Sequence, residues 1–126
     1  MIFEVVANKK FNYTGMVVVK KQPLIFSVSG LWKDLSISCD ANGWNGKMVM
    51  PLAPWIYDND LLDSQKTVPG QNYMKLMGKI GEITFEIGNV KNKTILMPDT
   101  GELVLFANDI EWLYFNNSGK ITVTIS

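Results

Sequence analysis

Short runs of β-branched and aromatic residues, broken by Asn, Gly, Pro and Asp, set the rhythm of this chain. Residues 3–7, 15–20, 24–32, 73–80, 82–87, 93–97, 103–107 and 121–125 each read as a strand, because such side chains suit a pleated, half-buried surface. Two of these runs alternate. Leu24, Phe26 and Val28 fall on one face against Ile25, Ser27 and Ser29, and Ile121, Val123 and Ile125 oppose Thr122 and Thr124. Successive side chains of a strand point to opposite faces, so each of these runs buries one face. Pro23 stands at a strand entrance, where its missing N–H does little harm. Helical signal is confined to residues 59–65, a short turn with Asp58 or Asp60 as its cap. Evenly spaced short strands with turn residues between them predict an all-β fold, a single-domain β-sandwich spanning residues 1–126. Residues 40–71 break the rhythm: few regular strands, many Asn, Asp and Pro, and the aromatics Trp44, Trp55 and Tyr57. A loop this long in a compact domain is functional or disordered, and its aromatic content argues for the former.

Composition narrows the function classes. Hydrophobic residues at 47 % and charged residues at 19 % describe a globular chain. Twelve basic and twelve acidic residues cancel, so nothing suggests a nucleic-acid footprint or a polybasic membrane surface. Zero net charge weakens repulsion between copies and permits a homo-oligomer. No apolar run reaches the ~20 residues of a membrane helix, so no membrane insertion is expected. The N-terminus lacks the basic and apolar regions of a secretory signal, which predicts a cytoplasmic protein or one secreted by another route. Cys39 is the single cysteine, so no intrachain disulfide forms, and it reads as a buried strand residue. The chain has no histidine. That removes the commonest general base and every Ser-His-Asp arrangement, and a single Cys without His closes no zinc shell. A metal here would be a hard cation held by oxygens.

Candidate chemistry gathers in residues 106–119, between two strands. Asn108, Asp109, Glu111, Asn116, Asn117 and Ser118 are oxygen donors of the kind calcium takes six to eight at a time. The same Asn-Asn-Ser-Gly run also suits a plain hairpin turn, since these residues tolerate positive φ.

The order of several motifs resembles the PA-I (LecA) family of calcium-dependent, galactose-binding bacterial lectins. They are Glu4-Val5-Val6-Ala7-Asn8 with Thr14-Gly15, Gly30-Leu31-Trp32, Leu76-Met77-Gly78-Lys79-Ile80-Gly81, Thr100-Gly101-Glu102-Leu103-Val104-Leu105, and Asn108-Asp109 followed by Asn116-Asn117-Ser118-Gly119. The resemblance spans the chain except for about residues 36–72. It implies a jelly-roll sandwich of the galactose-binding-domain type. It further implies a calcium ion bound by the side chains of Asp109, Asn116 and Asn117 and by the backbone carbonyls of Leu35 and Leu113, with sugar hydroxyls completing the shell. The ligand surface implied is Asp109, Ile110, Trp112, Leu113 and Asn116, and the partner a galactose-like or other hexose. Two features depart from the family. The His and Gln that meet the sugar's primary hydroxyl have no counterpart here, and Glu111-Trp112 replaces a Pro-Gly. Trp112, Trp44, Trp55 or Tyr57 would then be the candidates for stacking on a sugar ring. The competing interpretations of Trp44, Trp55 and Trp32 place them in the core.

The remaining motifs read as ordinary turn and surface chemistry. Asn12-Tyr13-Thr14, Asn92-Lys93-Thr94 and Asn116-Asn117-Ser118 match glycosylation acceptors but serve as turns in a chain without a signal segment. Asp58, Asp60 and Asp63 form a polar loop tip or cap rather than a second cation site. No motif pairs a nucleophile with a base, so the expectation is a non-enzymatic binder. The alternative is a structural or interaction module that keeps the fold and binds no sugar.

Overall fold

The computed structural model describes residues 1–44, 63–110 and 113–126. Trp55, Tyr57, Asp58, Asp60, Glu111 and Trp112 lie outside the described residues. The strands are β1 (Ile2–Val6), β2 (Asn12–Val18), β3 (Pro23–Ser29), β4 (Trp32–Asp34), β5 (Ile37–Cys39), β6 (Leu76–Ile80), β7 (Ile83–Glu86), β8 (Lys93–Leu96), β9 (Gly101–Ala107) and β10 (Asn117–Ile125). Two 3₁₀ turns, Asp63–Gln65 and Tyr114–Asn116, precede β6 and β10. One sheet runs β5-β4-β10-β3-β8 with β1 also paired to β10, and the other runs β2-β9-β6-β7. The pairs are antiparallel, so the architecture is the all-β sandwich that the strand rhythm predicts.

The alternating runs supply the core. Leu24, Phe26 and Val28 of β3 and Ile121, Val123 and Ile125 of β10 are buried, and they meet Leu76, Ile80, Leu103 and Leu105 of the second sheet. Each such side chain contributes about 1.5–3 kcal/mol by leaving water. Trp32 is 1 % exposed and its indole N–H donates to the Met74 carbonyl at 2.9 Å, so it is core with its polar edge satisfied.

β9 is buried on both sides. Leu103, Leu105 and Ala107 face the core. On the outer face Phe11 packs edge-on to Phe106 with ring centroids 5.4 Å apart, and the Lys79 ammonium lies 4.3 Å from the Phe11 ring centre. A strand clamped on both faces delivers its C-terminal end, Asn108-Asp109, to a fixed place.

Two features differ from the expectation of one strand over residues 24–32 and a loop over residues 106–119. Gly30 splits the former, with φ +109° and its Cα so close to β10 that a Cβ would meet the Lys120 carbonyl at 3.3 Å. The kink lets β3 and β4 share one edge of β10, with Ser29 opposite Thr122 and Trp32 opposite Gly119. Asn117, Ser118 and Gly119 are therefore strand residues rather than a hairpin turn. The β4–β5 hairpin turns through Leu35 at φ +55°, a left-handed conformation that costs a branched residue about 1 kcal/mol or more. Of the residues expected to form a short helical turn, 63–65 do so as a 3₁₀ turn. Cys39, in β5, is half-buried, and burial reinforced by Asp34 and Asp40 pushes its thiol up to about 12. No helix among the described residues is long and apolar enough to cross a membrane.

Candidate functional site

The end of β9 is held by polar side chains that are fully used. Asn108 is buried; its Oδ1 accepts from Val68 N–H at 2.8 Å, and its Nδ2 donates to the carbonyls of Val68, Gln71 and Asn72 at 3.0, 3.3 and 3.2 Å. This asparagine staples the segment before β6 to β9, with both its oxygen and its N–H₂ engaged by backbone. Tyr114 does the same from the other side. Its hydroxyl donates to the Ala107 carbonyl at 2.6 Å, accepts from Asp109 N–H at 3.3 Å and lies 2.9 Å from the Thr67 hydroxyl. Thr67 N–H donates to the Asp109 carbonyl at 2.8 Å, and a bridge between Lys66 and Ile110 continues the pairing. The backbone at Asp109 is thus pinned from three directions.

The side chains of Asp109, Asn116 and Asn117 show the opposite condition. Asp109 is 1 % exposed; its Oδ1 accepts from Ile110 N–H at 2.7 Å, while Oδ2 has no hydrogen-bond partner among the described residues. Asn117 is 4 % exposed; its Nδ2 donates to the Ala7 carbonyl at 3.1 Å, and its Oδ1 is left without a partner. The Asn116 Oδ1 is buried and without a partner as well. A buried acceptor without a donor costs about 1–3 kcal/mol, so three together require an account.

The backbone brings Leu35 and Leu113 to the same place. Leu35 N–H donates to the Asn116 carbonyl at 3.2 Å, so the β4–β5 turn lies against the turn that precedes β10. Leu113 N–H donates to Ile110 O at 2.9 Å, and the Leu113 carbonyl accepts from Asn116 N–H at 3.3 Å, closing the loop between β9 and β10. That carbonyl keeps a second lone pair. Ile110 is buried with its N–H engaged by Asp109. Trp112 lies outside the described residues. Trp44 is half-buried against Tyr73, with ring centroids 5.5 Å apart and a 32° tilt.

Charge is unbalanced at this end of the sandwich. Burial, and then the negative charge of Asp34, push the Asp109 carboxyl up to about 6, against the opposing pull of Ile110 N–H, the Asn117 amide and Lys66. Asp34 is itself raised by burial, which a hydrogen bond from the Trp44 side chain partly offsets. The Lys66 ammonium is already engaged: it bonds Asp63 at 3.0 Å and the Gln71 carbonyl at 2.9 Å, and it lies 4.1 Å from the Tyr73 ring centre. Among the described residues no three His, Cys, Asp or Glu side chains gather around one point. The donor set is instead carboxylate, amide oxygen and backbone carbonyl, the chemistry of a hard cation and not of zinc or copper.

Asp34, Asn108, Thr67 and Tyr114 were not singled out by sequence reasoning for these roles. The alternation of β4, with Trp32 and Asp34 buried and Lys33 exposed, was the available signal for Asp34. A separate groove of about 220 Å³ lies on the outer face of the second sheet, lined by Phe11, Tyr13, Lys79, Gly81, Glu102 and Val104, none of which belongs to the loop cluster.

No family model matches the chain, and no curated protein matches it. Among solved structures it is similar to one described as "EclA N-terminal domain; PllA-like lectin", with a TM-score of 0.70 and 17 % identity over 98 % of this chain and 92 % of that one. At that identity the likeness is one of fold, and the chain has the β-sandwich of that lectin domain.

Proposed function

We propose that this protein is a lectin, a non-enzymatic domain that binds carbohydrate through a calcium ion. The side chains of Asp109, Asn116 and Asn117 and the carbonyls of Leu35 and Leu113 would hold the ion. The observation that carries this reading is the selective orphaning of oxygens. Asn108, beside Asp109 in the chain, has both its oxygen and its N–H₂ engaged, whereas Asp109 Oδ2, Asn116 Oδ1 and Asn117 Oδ1 have no partner among the described residues. Buried oxygens that lack donors suit a cation. The fold shared with a lectin domain supports the same reading.

When bound, calcium supplies free coordination positions that two neighbouring hydroxyls of a sugar can fill. The protein's part is placement and selection. Tyr114 and Thr67 fix Asp109 before any ligand arrives, so little ordering remains to be done on binding. The Lys66–Ile110 bridge docks the Asp63–Gln65 turn against the loop and leaves Ser64 and Gln65 exposed there as polar groups for a sugar. Gln71 is not available in the same way, since its Oε1 accepts from Lys75 at 3.2 Å. A hexose of galactose-like configuration is the ligand class that the sequence resemblance favours.

Thermal unfolding in excess EDTA and then in millimolar calcium tests the reading. A ligand bound only by the folded state stabilises it by about 2.7 kcal/mol at a hundredfold excess over Kd. An upward shift with calcium, followed by calcium-dependent binding on a glycan array, is the expected result. An unchanged transition would return the loop to a plain turn and the domain to a structural or interaction role.

A further inference from the structure

We propose that Asp34 is a second carboxylate of the cation site, giving the cluster a charge of −2 that a divalent ion neutralises. This rests on the cation reading above and extends it to a residue outside the five expected ligands.

Placement is the first argument. The β4–β10 register sets Asp34 opposite Asn117, and the next residue, Leu35, hydrogen-bonds the Asn116 carbonyl through its N–H at 3.2 Å. Within β4 the side chains of Trp32 and Asp34 turn inward and Lys33 turns out. The Asp34 carboxyl is therefore buried on the same face as the Asn117 side chain, which carries one of the orphaned oxygens.

Charge balance is the second. Acceptors without donors can be met by water, but two buried carboxylates need positive charge beside them to be held ionised. Among the described residues, the cations close to the cluster are otherwise engaged. Lys66 is bound to Asp63, Gln71 O and the Tyr73 ring, Lys75 pairs with Glu86, and Lys33 faces solvent. With Asp109 alone, a bound divalent ion would leave a net positive charge in a buried place. With Asp34 the two sum to zero, the condition under which a buried ion site avoids an uncompensated charge.

The test is calcium and terbium affinity of wild type, Asp34→Asn, Asp34→Glu and Asp109→Asn, measured by calorimetry and by aromatic-sensitised terbium luminescence at one fixed pH. Asp34→Asn retains an acceptor for the Trp44 hydrogen bond, so it is expected to fold, and melting in EDTA at or above the wild-type temperature checks this. Should it fail to melt cooperatively, Asp34→Ser takes its place with the same expected losses. Asp34→Asn is expected to weaken calcium at least tenfold. Coulomb energy scales with ion charge, so a tenfold loss for calcium implies roughly thirtyfold for terbium. Asp34→Glu, which keeps the charge, is expected to restore most of the affinity. Calcium binding by Asp34→Asn within twofold of wild type, or a loss in Asp34→Glu as large as in Asp34→Asn, would overturn the proposal while leaving the cation site intact. A wild type that binds neither ion would remove the site and the proposal together.

Discussion

Replacing Asp109 by Asn should stabilise the ion-free protein and abolish its response to calcium. In the folded chain the Asp109 carboxyl is raised from the ordinary 3.8 to about 6. At about 1.4 kcal/mol for each tenfold in proton affinity, this amounts to about 3 kcal/mol of destabilisation once the group is ionised. The direction follows from linkage. Between pH 4 and 6 the folded state binds more protons than the unfolded one, so stability falls as pH rises through that window and is flat above it. Asparagine removes this loss, because it carries no charge to desolvate. At roughly 3 °C per kcal/mol for a chain of this size, Asp109→Asn in EDTA at pH 7.5 should melt up to about 10 °C above wild type. At pH 4 the gap should close. In calcium the order should reverse, because only wild type gains. Differential scanning fluorimetry across pH 4–8, with and without calcium, reads all of this. An Asp109→Asn variant that melts below wild type at pH 7.5 in EDTA would show that the carboxylate is already satisfied by the protein, and the argument for a cation would fail.

Other substitutions separate positioning from binding. Leu35→Gly should raise stability by up to about 1 kcal/mol, since Leu35 is exposed and sits at φ +55°, and should leave the calcium shift unchanged because a carbonyl remains; urea melts with and without calcium check both. Asn108→Ala should cost at least about 2 kcal/mol in either condition, because Val68 N–H and the carbonyls of Val68 and Asn72 lose a buried partner; equilibrium urea unfolding measures it. Gln65→Ala should leave the calcium-induced shift intact and weaken sugar binding, which calorimetry with calcium and then with the sugar identified on the array would separate.

What was legible in the sequence is what a period of two with one buried face makes legible. The runs through Phe26 and Val123 announce both their strands and their inward sides, and these are the strands whose faces form the core. Asn117, Ser118 and Gly119 suit a loop or hairpin turn by residue type, since each is a default turn residue, and what makes them strand is a partner. That partner, β4, reaches them because Gly30 kinks the chain, an event set by tertiary packing against Lys120 and Ile121. The β4–β5 hairpin was hidden for a related reason. A two-residue turn at positive φ is normally marked by Asn or Gly, and here Leu35 occupies it.

The same displacement of signal explains the site. Composition and spacing list the oxygens of residues 108–118 without sorting them, because Asn108, Asn116 and Asn117 are one residue type; only the resemblance to a family separates Asn108 from the other two. Their difference is entirely one of partners. Asn108 faces the loop at residues 68–72 and is engaged by it through both oxygen and N–H₂, while Asn117, opposite Asp34, donates an amide hydrogen to Ala7 and has no donor for its oxygen among the described residues. A strained turn at Leu35, an ion-free carboxyl raised by burial and then by a neighbouring carboxylate, and amide oxygens left without donors are local costs that folding alone does not explain. All three meet where the β4–β5 turn and the start of β10 come together, and a bound divalent ion would offset the two that are electrostatic. Their coincidence argues more strongly for a binding site than any one of the asparagines does.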